Sequence, residues 1–278
     1  MSEKIPGEVL PAGHVTAHVQ QWRSDQLLPL EDLVVEEAPV ALVYNGISQA
    51  VMMTTPCDLQ DFAIGFSLTE GIVDNLQQIF DIQLTQHAAG YEIALQISGQ
   101  KMAQLKQYKR SMTGNSGCGL CGIESLSTAI RPGNSVNSAA LPDAKAIQSA
   151  VSSLPSWQPI QAATGACHAA MWCDMQGNKV LLREDVGRHN AFDKLIGAMA
   201  DKKISSDQGF AVISSRASYE MVHKASFLQC PTLVAVSAPT SLAIAQAKQL
   251  NINLIGFARS GRHNIYHSCM SDTADQPS

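Results

Sequence analysis

Long apolar runs are missing from this sequence of 278 residues, of which 45% are hydrophobic and only 15% charged. No stretch reaches the about 20 apolar residues that a membrane-spanning helix needs. No apolar signal segment opens the chain, because Met1–Lys4 leads directly into Pro6 and Gly7. The 19 lysines and arginines are outnumbered by 24 acidic residues, and the resulting net charge of -5 argues against a nucleic-acid surface. We therefore expect a cytoplasmic protein with no membrane span and no nucleic-acid partner.

A disulfide framework and a repeated metal-ligand motif are also missing. The seven cysteines are odd in number and scattered, as is typical of a reducing compartment. Cys118 and Cys121 form a Cys-x-x-Cys pair, but no second spaced pair completes a zinc site. Cys167 and His168 are the best remaining zinc ligands, although adjacent residues rarely serve together. We therefore predict no permanently bound metal, with a structural metal site at the cysteine pair as the alternative.

The cysteine pair lies in a glycine-rich stretch, residues 110–122, which we predict to be a mobile loop. Glycines flank and separate the two cysteines, and glycine disfavours helices and strands because it has the most backbone freedom to lose. A thioredoxin-like redox pair would instead follow a strand and open a helix. An exposed thiol pair is prone to oxidation unless the protein uses it. The pattern favours a thiolate nucleophile that accepts and passes on a group, with sulfur as the natural cargo.

The residue pattern in the first half of the chain predicts an arm followed by a small subdomain of mixed strands and helices. Residues 1–25 are polar and lack periodicity, so we predict a flexible N-terminal arm. Residues 26–131 are predicted to form an N-terminal mixed α+β subdomain that ends in the cysteine loop. Its expected elements are a hairpin turning at Asn45-Gly46, a helix opened by Asp58 and ended by Gly71, and strands at 79–84 and 91–97.

Residues 132–278 are predicted to form an α/β domain that binds a cofactor. Continuous apolar strands alternate with helices there, which indicates a mostly parallel sheet covered on both faces. The predicted strands are 166–173, 179–182, 210–214, 232–237 and 252–257, and the predicted helices are 143–154, 188–200, 219–228 and 241–250.

Hydroxyl residues, glycines and arginines follow four of these strands. Ligands of such sheets sit beyond the carboxyl ends of the strands, where helix N-termini and arginine side chains bind phosphate. We therefore predict a phosphate-bearing ligand at this edge. The alternative is that the hydroxyls only cap helices and the arginines are solvated. The four segments are 183–190, 214–218, 237–241 and 258–263.

Two histidines accompany these segments. His168 lies among small residues and is either near the pocket or a satisfied core residue. Glu184 and Asp185 either orient His189 or Arg188, or they form an acidic helix start that complements the helix dipole.

Several separate motifs and their order along the chain resemble those of the formate dehydrogenase accessory sulfurtransferase family (FdhD). The resemblance covers nearly the whole chain apart from the arm and the C-terminal tail. The motifs that carry it are Gly117–Gly122 around the cysteine pair, Thr164–Ala170, Glu184–His189 with Asp193 and Lys194, Ser214–Met221, and Gly256–Arg262.

The resemblance implies a sulfurtransferase of molybdenum cofactor biosynthesis that forms a homodimer with cytidine-deaminase-like αβα layers. Such a carrier accepts sulfur as a persulfide from a cysteine desulfurase. It passes the sulfur to the molybdenum cofactor, as bis-molybdopterin guanine dinucleotide, before the cofactor enters formate dehydrogenase. Cys118 matches the persulfide cysteine and Cys121 its partner. The segment that binds this guanine-nucleotide-containing ligand is implied to be Phe257, Ala258, Arg259, Ser260, Gly261 and Arg262.

Two other functions are alternatives to this interpretation. A zinc nucleobase deaminase needs His-x-Glu and Pro-Cys-x-x-Cys. Gly117 replaces the proline, and Ala169 and Ala170 follow His168 without a glutamate, so this function is disfavoured. A cofactor-binding chaperone that only shields its ligand, with the cysteines as anchors, stays open from sequence alone.

Overall fold

The computed structural model describes residues 12–114 and 133–269, with only the backbone for residues 108–114. Cys118 and Cys121 therefore lie outside the described residues, and the predicted loop is described only over residues 110–114. Within the described ranges the chain forms three sheets of two, four and six strands. No helix in these ranges is both long and apolar enough to cross a membrane.

Residues 14–35 form a β-hairpin of strands β1 (His14–Arg23) and β2 (Gln26–Val35). The prediction of an arm without regular structure was therefore wrong for residues 14–25. Ser24 and Asp25 make the turn with φ values of 50° and 62°. This hairpin was not predicted because neither strand alternates cleanly between apolar and polar residues.

The four-stranded sheet confirms the hairpin and the two strands predicted for the first half of the chain. The bounds are β3 Ala38–Tyr44, β4 Ile47–Thr54, α1 Leu59–Thr69, β5 Ile79–His87, β6 Gly90–Ile97 and α2 Gly99–Gly114. The strand order is β4-β3-β6-β5, with β3 parallel to β6 and the other pairs antiparallel. The buried side chains of the inner face of this sheet pack against the two helices, α1 and α2.

Two predictions in this region need correction. Asp58 precedes α1 as expected, but it has a left-handed φ of 50° and its side chain makes no capping hydrogen bond. Its carboxylate instead lies 3.6 Å from Nε of Arg183. Helix α2 was not predicted, and it extends through residues 110–114, where a loop was expected. Met102 and Leu105 pack in the core, so burial stabilises this helix despite its polar composition.

The six-stranded sheet confirms the alternation of strands and helices in the second half of the chain. Its bounds are α3 Ala144–Ser153, α4 Pro159–Thr164, β7 His168–Asp174, β8 Lys179–Asp185, α5 Arg188–Asp201, β9 Gly209–Ile213, α6 Tyr219–Phe227, β10 Thr232–Ala235, α7 Ser241–Leu250, β11 Asn253–Arg259 and β12 Arg262–His267. The strand order is β12-β11-β10-β9-β7-β8.

The direction of these strands corrects the prediction of a mostly parallel sheet. Strands β9, β10 and β11 are parallel, whereas β7, β8 and β12 pair antiparallel with their neighbours. Two short turns account for the antiparallel pairs β7–β8 and β11–β12, because a tight turn can join only antiparallel strands. One turn joins β7 to β8, and the other joins β11 to β12.

Helices cover both faces of this sheet. Helix α3 packs on one face, and α5, α6 and α7 pack on the other. Helix α1 lies between α5 and the four-stranded sheet, so it joins the two halves of the molecule. The layers are thus those of an α/β protein, and their likeness to cytidine deaminases stays a prediction.

The close approach of α1 and α5 depends on two glycines. A Cβ atom at Gly65 would collide with the backbone carbonyl of Asp193, and one at Gly197 would collide with that of Asp61. Overpacking of this kind costs about 1–3 kcal/mol. We expect Gly65→Ala to lower the free energy of unfolding by about 3 kcal/mol, near the top of that range, because backbone atoms cannot move aside.

Urea denaturation would measure this loss. The matched control is Gly99→Ala, at the start of α2, because a Cβ there meets no atom within 4 Å. A loss at Gly65 no larger than that at Gly99 would contradict the role assigned to the helix contact.

Candidate functional site

All four segments that the sequence predicted to lie together, residues 183–190, 214–218, 237–241 and 258–263, lie at one edge of the six-stranded sheet. Strands β9, β10 and β11 end there. Strand β7 runs in the opposite direction, so His168 begins where they end, and β8 reverses again, so that Asp185 pairs opposite His168. The predicted location of the segments is confirmed, and their ligand stays a prediction.

The hydroxyl residues at this edge divide between helix capping and contacts with the strands. Thr240 caps α7 by accepting a hydrogen bond from the Ala243 amide (3.2 Å), as the alternative interpretation expected. Ser214 Oγ accepts from the Ala169 amide (2.9 Å) and lies 3.4 Å from Nδ1 of His168. Ser214 therefore holds the start of β7, and with it His168, against the end of β9.

His168 lies at the edge of the sheet and is half-buried, not a fully enclosed core residue. Burial lowers its pKa below the usual value, and the nearby charges of Arg188 and His189 lower it further. The imidazole is therefore neutral at pH 7 and able both to accept and to donate a hydrogen bond.

Arginines supply positive charge along the same edge. Arg188 begins α5, directly after the end of β8, and its Nε is buried without a hydrogen-bond partner in the described part of the chain. Arg216 follows β9 and is exposed. Exposed Arg259 and Arg262 stand on either side of the turn between β11 and β12. Four arginines and the N-termini of α5, α6 and α7 make this edge suitable for a polyanionic ligand.

The residues of the segment Phe257–Arg262 differ in their exposure to solvent. Phe257 has a left-handed φ of 48°, and its amide donates to the Ser237 carbonyl (3.0 Å), which links the ends of β10 and β11. The side chain of Ala258 is fully buried in the core, so only its backbone is available to a ligand. Residues 259–262 are exposed. The Gly261 amide donates to Oε1 of Gln148 on α3 (2.7 Å), which fixes the turn.

A buried ion pair lies directly below this edge. Lys194 Nζ and Asp185 Oδ2 are 2.7 Å apart, and both side chains are fully buried. Lys194 also donates to the Thr55 carbonyl (2.9 Å), while Asp185 accepts from the hydroxyl of Thr54 and the amide of Thr55. The pair therefore fastens the end of β4 to the second half of the molecule.

Of the two roles left open for the acidic residues before α5, the structure supports the acidic helix start for Asp185. Asp185 accepts from the Gly187 amide (2.7 Å) and from Asn190 Nδ2 (3.1 Å), so it orders the start of α5 through these groups. Glu184 accepts from two amides at the start of α4, those of residues 160 and 161. His189 instead lies 2.7 Å from the carboxylate of Glu220 on α6. Glu220 was missed because nothing in its local sequence indicates which side chain faces it.

Four of the five cysteines in the described ranges do not resemble nucleophiles. Burial raises the pKa of Cys57, and it raises those of Cys167, Cys173 and Cys230 to about 12. These thiols are therefore protonated and poorly reactive at neutral pH. No group of three or more His, Cys, Asp or Glu side chains in the described residues is arranged to hold a metal ion. Cys118 and Cys121 fall outside these residues.

Comparisons with known proteins agree over most of the chain. A family model described as the FdhD/NarQ family matches residues 35–271. The Sulfur carrier protein FdhD of Xanthomonas oryzae pv. oryzae is 48% identical over 259 residues, which are 93% of this chain and 90% of the relative. The protein of the same name from Cupriavidus necator is 47% identical over 260 residues, 94% of this chain and 90% of the relative.

A solved structure supports the fold. The crystal structure of a protein from Desulfotalea psychrophila, described as a formate dehydrogenase accessory protein, matches with a TM-score of 0.71. The match covers 92% of this chain and 98% of that one at 20% sequence identity, so it concerns the fold alone.

Proposed function

The chain belongs to the FdhD/NarQ family, and on that premise we propose that it is a sulfur carrier in the maturation of formate dehydrogenase. The observation that carries the proposal is the 48% identity, over 93% of the chain, to a protein named as such a carrier. The Cys-x-x-Cys pair supplies the chemical group that a sulfur carrier needs.

Cys118 is the residue that accepts the sulfur. Its thiolate attacks the terminal sulfur of a persulfide on a cysteine desulfurase. A new S–S bond forms on Cys118, the S–S bond of the donor breaks, and the donor cysteine leaves as a thiolate. Release of that sulfur as sulfide needs two electrons. Attack of the Cys121 thiolate on the inner sulfur of Cys118 supplies them and leaves a Cys118–Cys121 disulfide.

The sulfur acceptor is the molybdenum cofactor, as bis-molybdopterin guanine dinucleotide. It binds along the edge of the six-stranded sheet that carries Arg188, Arg216, Arg259 and Arg262, which we call the arginine edge. The cofactor carries several phosphates, and the exposed side chains of Arg216, Arg259 and Arg262 offer bidentate donors to them. Phe257–Arg262 form one end of this surface. The side chain of Ala258 makes no contact there because it is enclosed in the core.

The partners follow from these two steps. A cysteine desulfurase donates the sulfur, and formate dehydrogenase receives the sulfurated cofactor. We place the reaction in the cytoplasm, where the thiols stay reduced, and we propose that the carrier works as a homodimer.

A reconstitution tests the proposed function. Formate dehydrogenase carrying unsulfurated cofactor would be incubated with a cysteine desulfurase and cysteine, with and without this protein. We expect formate oxidation to appear only when the protein is present. Equal activation in its absence would contradict the carrier role. Activation by a protein with both cysteines changed to alanine would support a chaperone that only shields the cofactor.

We expect Arg262→Ala to weaken the binding of a guanine nucleotide without affecting persulfide formation. The side chain is exposed, and the turn before it is held by the hydrogen bond from the Gly261 amide to Gln148, so removing the side chain takes away a charged donor without disturbing the core. A hydrogen bond to a charged group is worth roughly 1.5–3 kcal/mol, so titration with GDP should show an affinity roughly 10-fold lower.

Arg23→Ala is the matched control, because Arg23 is also exposed but lies on β1, in a different sheet. Unchanged affinity for GDP in the Arg262 variant would count against Phe257–Arg262 as the binding segment.

A further inference from the structure

The β1–β2 hairpin carries an apolar face that is open to solvent. Side chains alternate between the two faces of a hairpin, and residues paired across the strands share a face. The pairs Val15–Val34 and Val19–Leu30 therefore lie on one face, together with Leu28 near the turn. All of these side chains are aliphatic, yet all but the half-buried Val19 are 36–45% exposed. We call these five residues the hairpin face.

The base of the hairpin is anchored, whereas its outer part stands clear of the described part of the chain. The Glu36 amide donates to the Gly13 carbonyl (2.9 Å), which closes the base, and helix α4 packs against β2. Residues 20–32 are all exposed. A two-stranded hairpin is only marginally stable by itself in water. The anchored base therefore holds a surface that contributes little to the core and is available to a partner.

Acidic residues surround the hairpin face. Residues 14–37 contain five of them and a single arginine, so this segment has a formal charge of -4 with neutral histidines, out of -5 for the whole chain. Asp32 lies on the hairpin face itself, opposite Ala17. An apolar patch with an acidic rim attracts a surface whose rim is basic, and it repels a copy of itself. The acidic residues are Asp25, Glu31, Asp32, Glu36 and Glu37, and the arginine is Arg23.

The size of the hairpin face suits a short-lived contact. Two paired strands of ten residues cover about 33 by 10 Å, which is roughly 300 Å². A stable dimer buries about 800 Å² on each partner, and transient complexes bury less. An exposed apolar patch of a few hundred Å² often marks an interaction site. The hairpin face therefore fits a partner that binds and leaves, better than a permanent second copy.

We propose that the hairpin face docks the sulfur donor, a cysteine desulfurase that presents an apolar patch with a basic rim. The inference rests on the proposed function, which needs a donor that binds, passes on its sulfur and leaves. It goes beyond that function by giving the donor a place on the molecule. The hairpin is a sheet of its own, so a donor bound there leaves the arginine edge open to the acceptor.

Surface plasmon resonance with a purified cysteine desulfurase tests the docking surface. We expect the double variant Leu28→Ser with Leu30→Ser to bind the desulfurase roughly 10-fold more weakly, because two exposed leucines can no longer be buried against it. Leu84→Ser is the matched control, since Leu84 is also an exposed leucine on a strand but lies on β5, in the four-stranded sheet.

Asp32→Lys tests the charge of the same surface while keeping every apolar side chain. It should slow the association with the desulfurase at low ionic strength, and the difference from the unmodified protein should shrink as salt screens the charges. Asp81→Lys, at an exposed position on β5, is the control for this change in net charge.

Three results would overturn the proposal. The first is an unchanged affinity for the desulfurase in both the leucine variant and the Asp32 variant. The second is a leucine variant that sediments as a smaller species than the unmodified protein but binds the desulfurase normally, because the hairpin face would then be an interface between copies. The third is a variant that binds the desulfurase normally and loses only its binding to formate dehydrogenase.

Sulfur uptake from two donors separates this proposal from the proposed function. A low-molecular-weight persulfide needs no docking, because the Cys118 thiolate takes its terminal sulfur and the small thiolate leaves. We expect the leucine variant to load normally from this donor and to need a higher concentration of desulfurase for the same rate. The same dependence on desulfurase concentration in both proteins would contradict the docking surface alone. If the unmodified protein takes up sulfur from neither donor, the carrier function itself is contradicted.

Discussion

Replacing Cys118 with alanine is expected to abolish the activation of formate dehydrogenase in the reconstitution described above. The alanine side chain has no atom that can hold a transferable sulfur, so the rate of formate oxidation should fall to the background measured without the protein. Binding of GDP should persist, because the arginine edge belongs to a different part of the chain. The measurement is the rate of formate oxidation, together with the affinity for GDP.

Two variants serve as controls for this result. Cys269→Ser removes another thiol of the chain and should keep full activity, because that residue follows β12 and belongs to neither the Cys-x-x-Cys pair nor the arginine edge. Cys121→Ala should still accept sulfur on Cys118 but release it more slowly, since the proposed two-electron donor is gone. Full activity of the Cys118 variant would mean that the carrier cysteine has been misassigned.

Asp185→Asn is expected to be strongly destabilising. It leaves the fully buried ammonium of Lys194 without its counter-charge, and breaking a buried pair in this way costs about 3–5 kcal/mol. Asp185 also holds Thr54 and the start of α5, so the same change loosens the contact between the two halves. Chemical denaturation followed by circular dichroism gives the free energy of unfolding.

The double variant Asp185→Asn with Lys194→Met isolates the electrostatic part of this loss. Because it removes both charges, it should be more stable than Asp185→Asn alone, although it carries one more substitution. If the losses of the two single variants simply added, the ion pair would not be the cause of the instability.

The sequence predicted the elements of the second half of the chain well because their signals are local. The apolar strand at 232–237 and the helices that begin near Arg188 and Ser241 are marked by their own hydrophobic patterns. The gathering of the four polar segments at one edge followed from the general geometry of such sheets. That prediction succeeded although β7 is antiparallel to β9. Strand β8 is in turn antiparallel to β7, so β8 ends at the same edge of the sheet as β9.

Features that depend on distant partners were not predictable in the same way. Nothing near Lys194 indicates complete burial, since its carbonyl partner on Thr55 is 139 residues away in sequence. The pairing of His189 with Glu220 depends on the packing of α5 beside α6. Strand β12 was missed because its mixed polar sequence forms a strand only by pairing with β11.

Peptide mass spectrometry after incubation with a cysteine desulfurase and cysteine tests the sulfur carrier function most directly. We expect one additional sulfur atom on the peptide that contains Cys118 and Cys121, removable by a reductant and absent from the Cys118→Ala protein. An unmodified peptide that instead retains zinc would contradict the carrier function and support a structural metal site in a protein that only binds the cofactor.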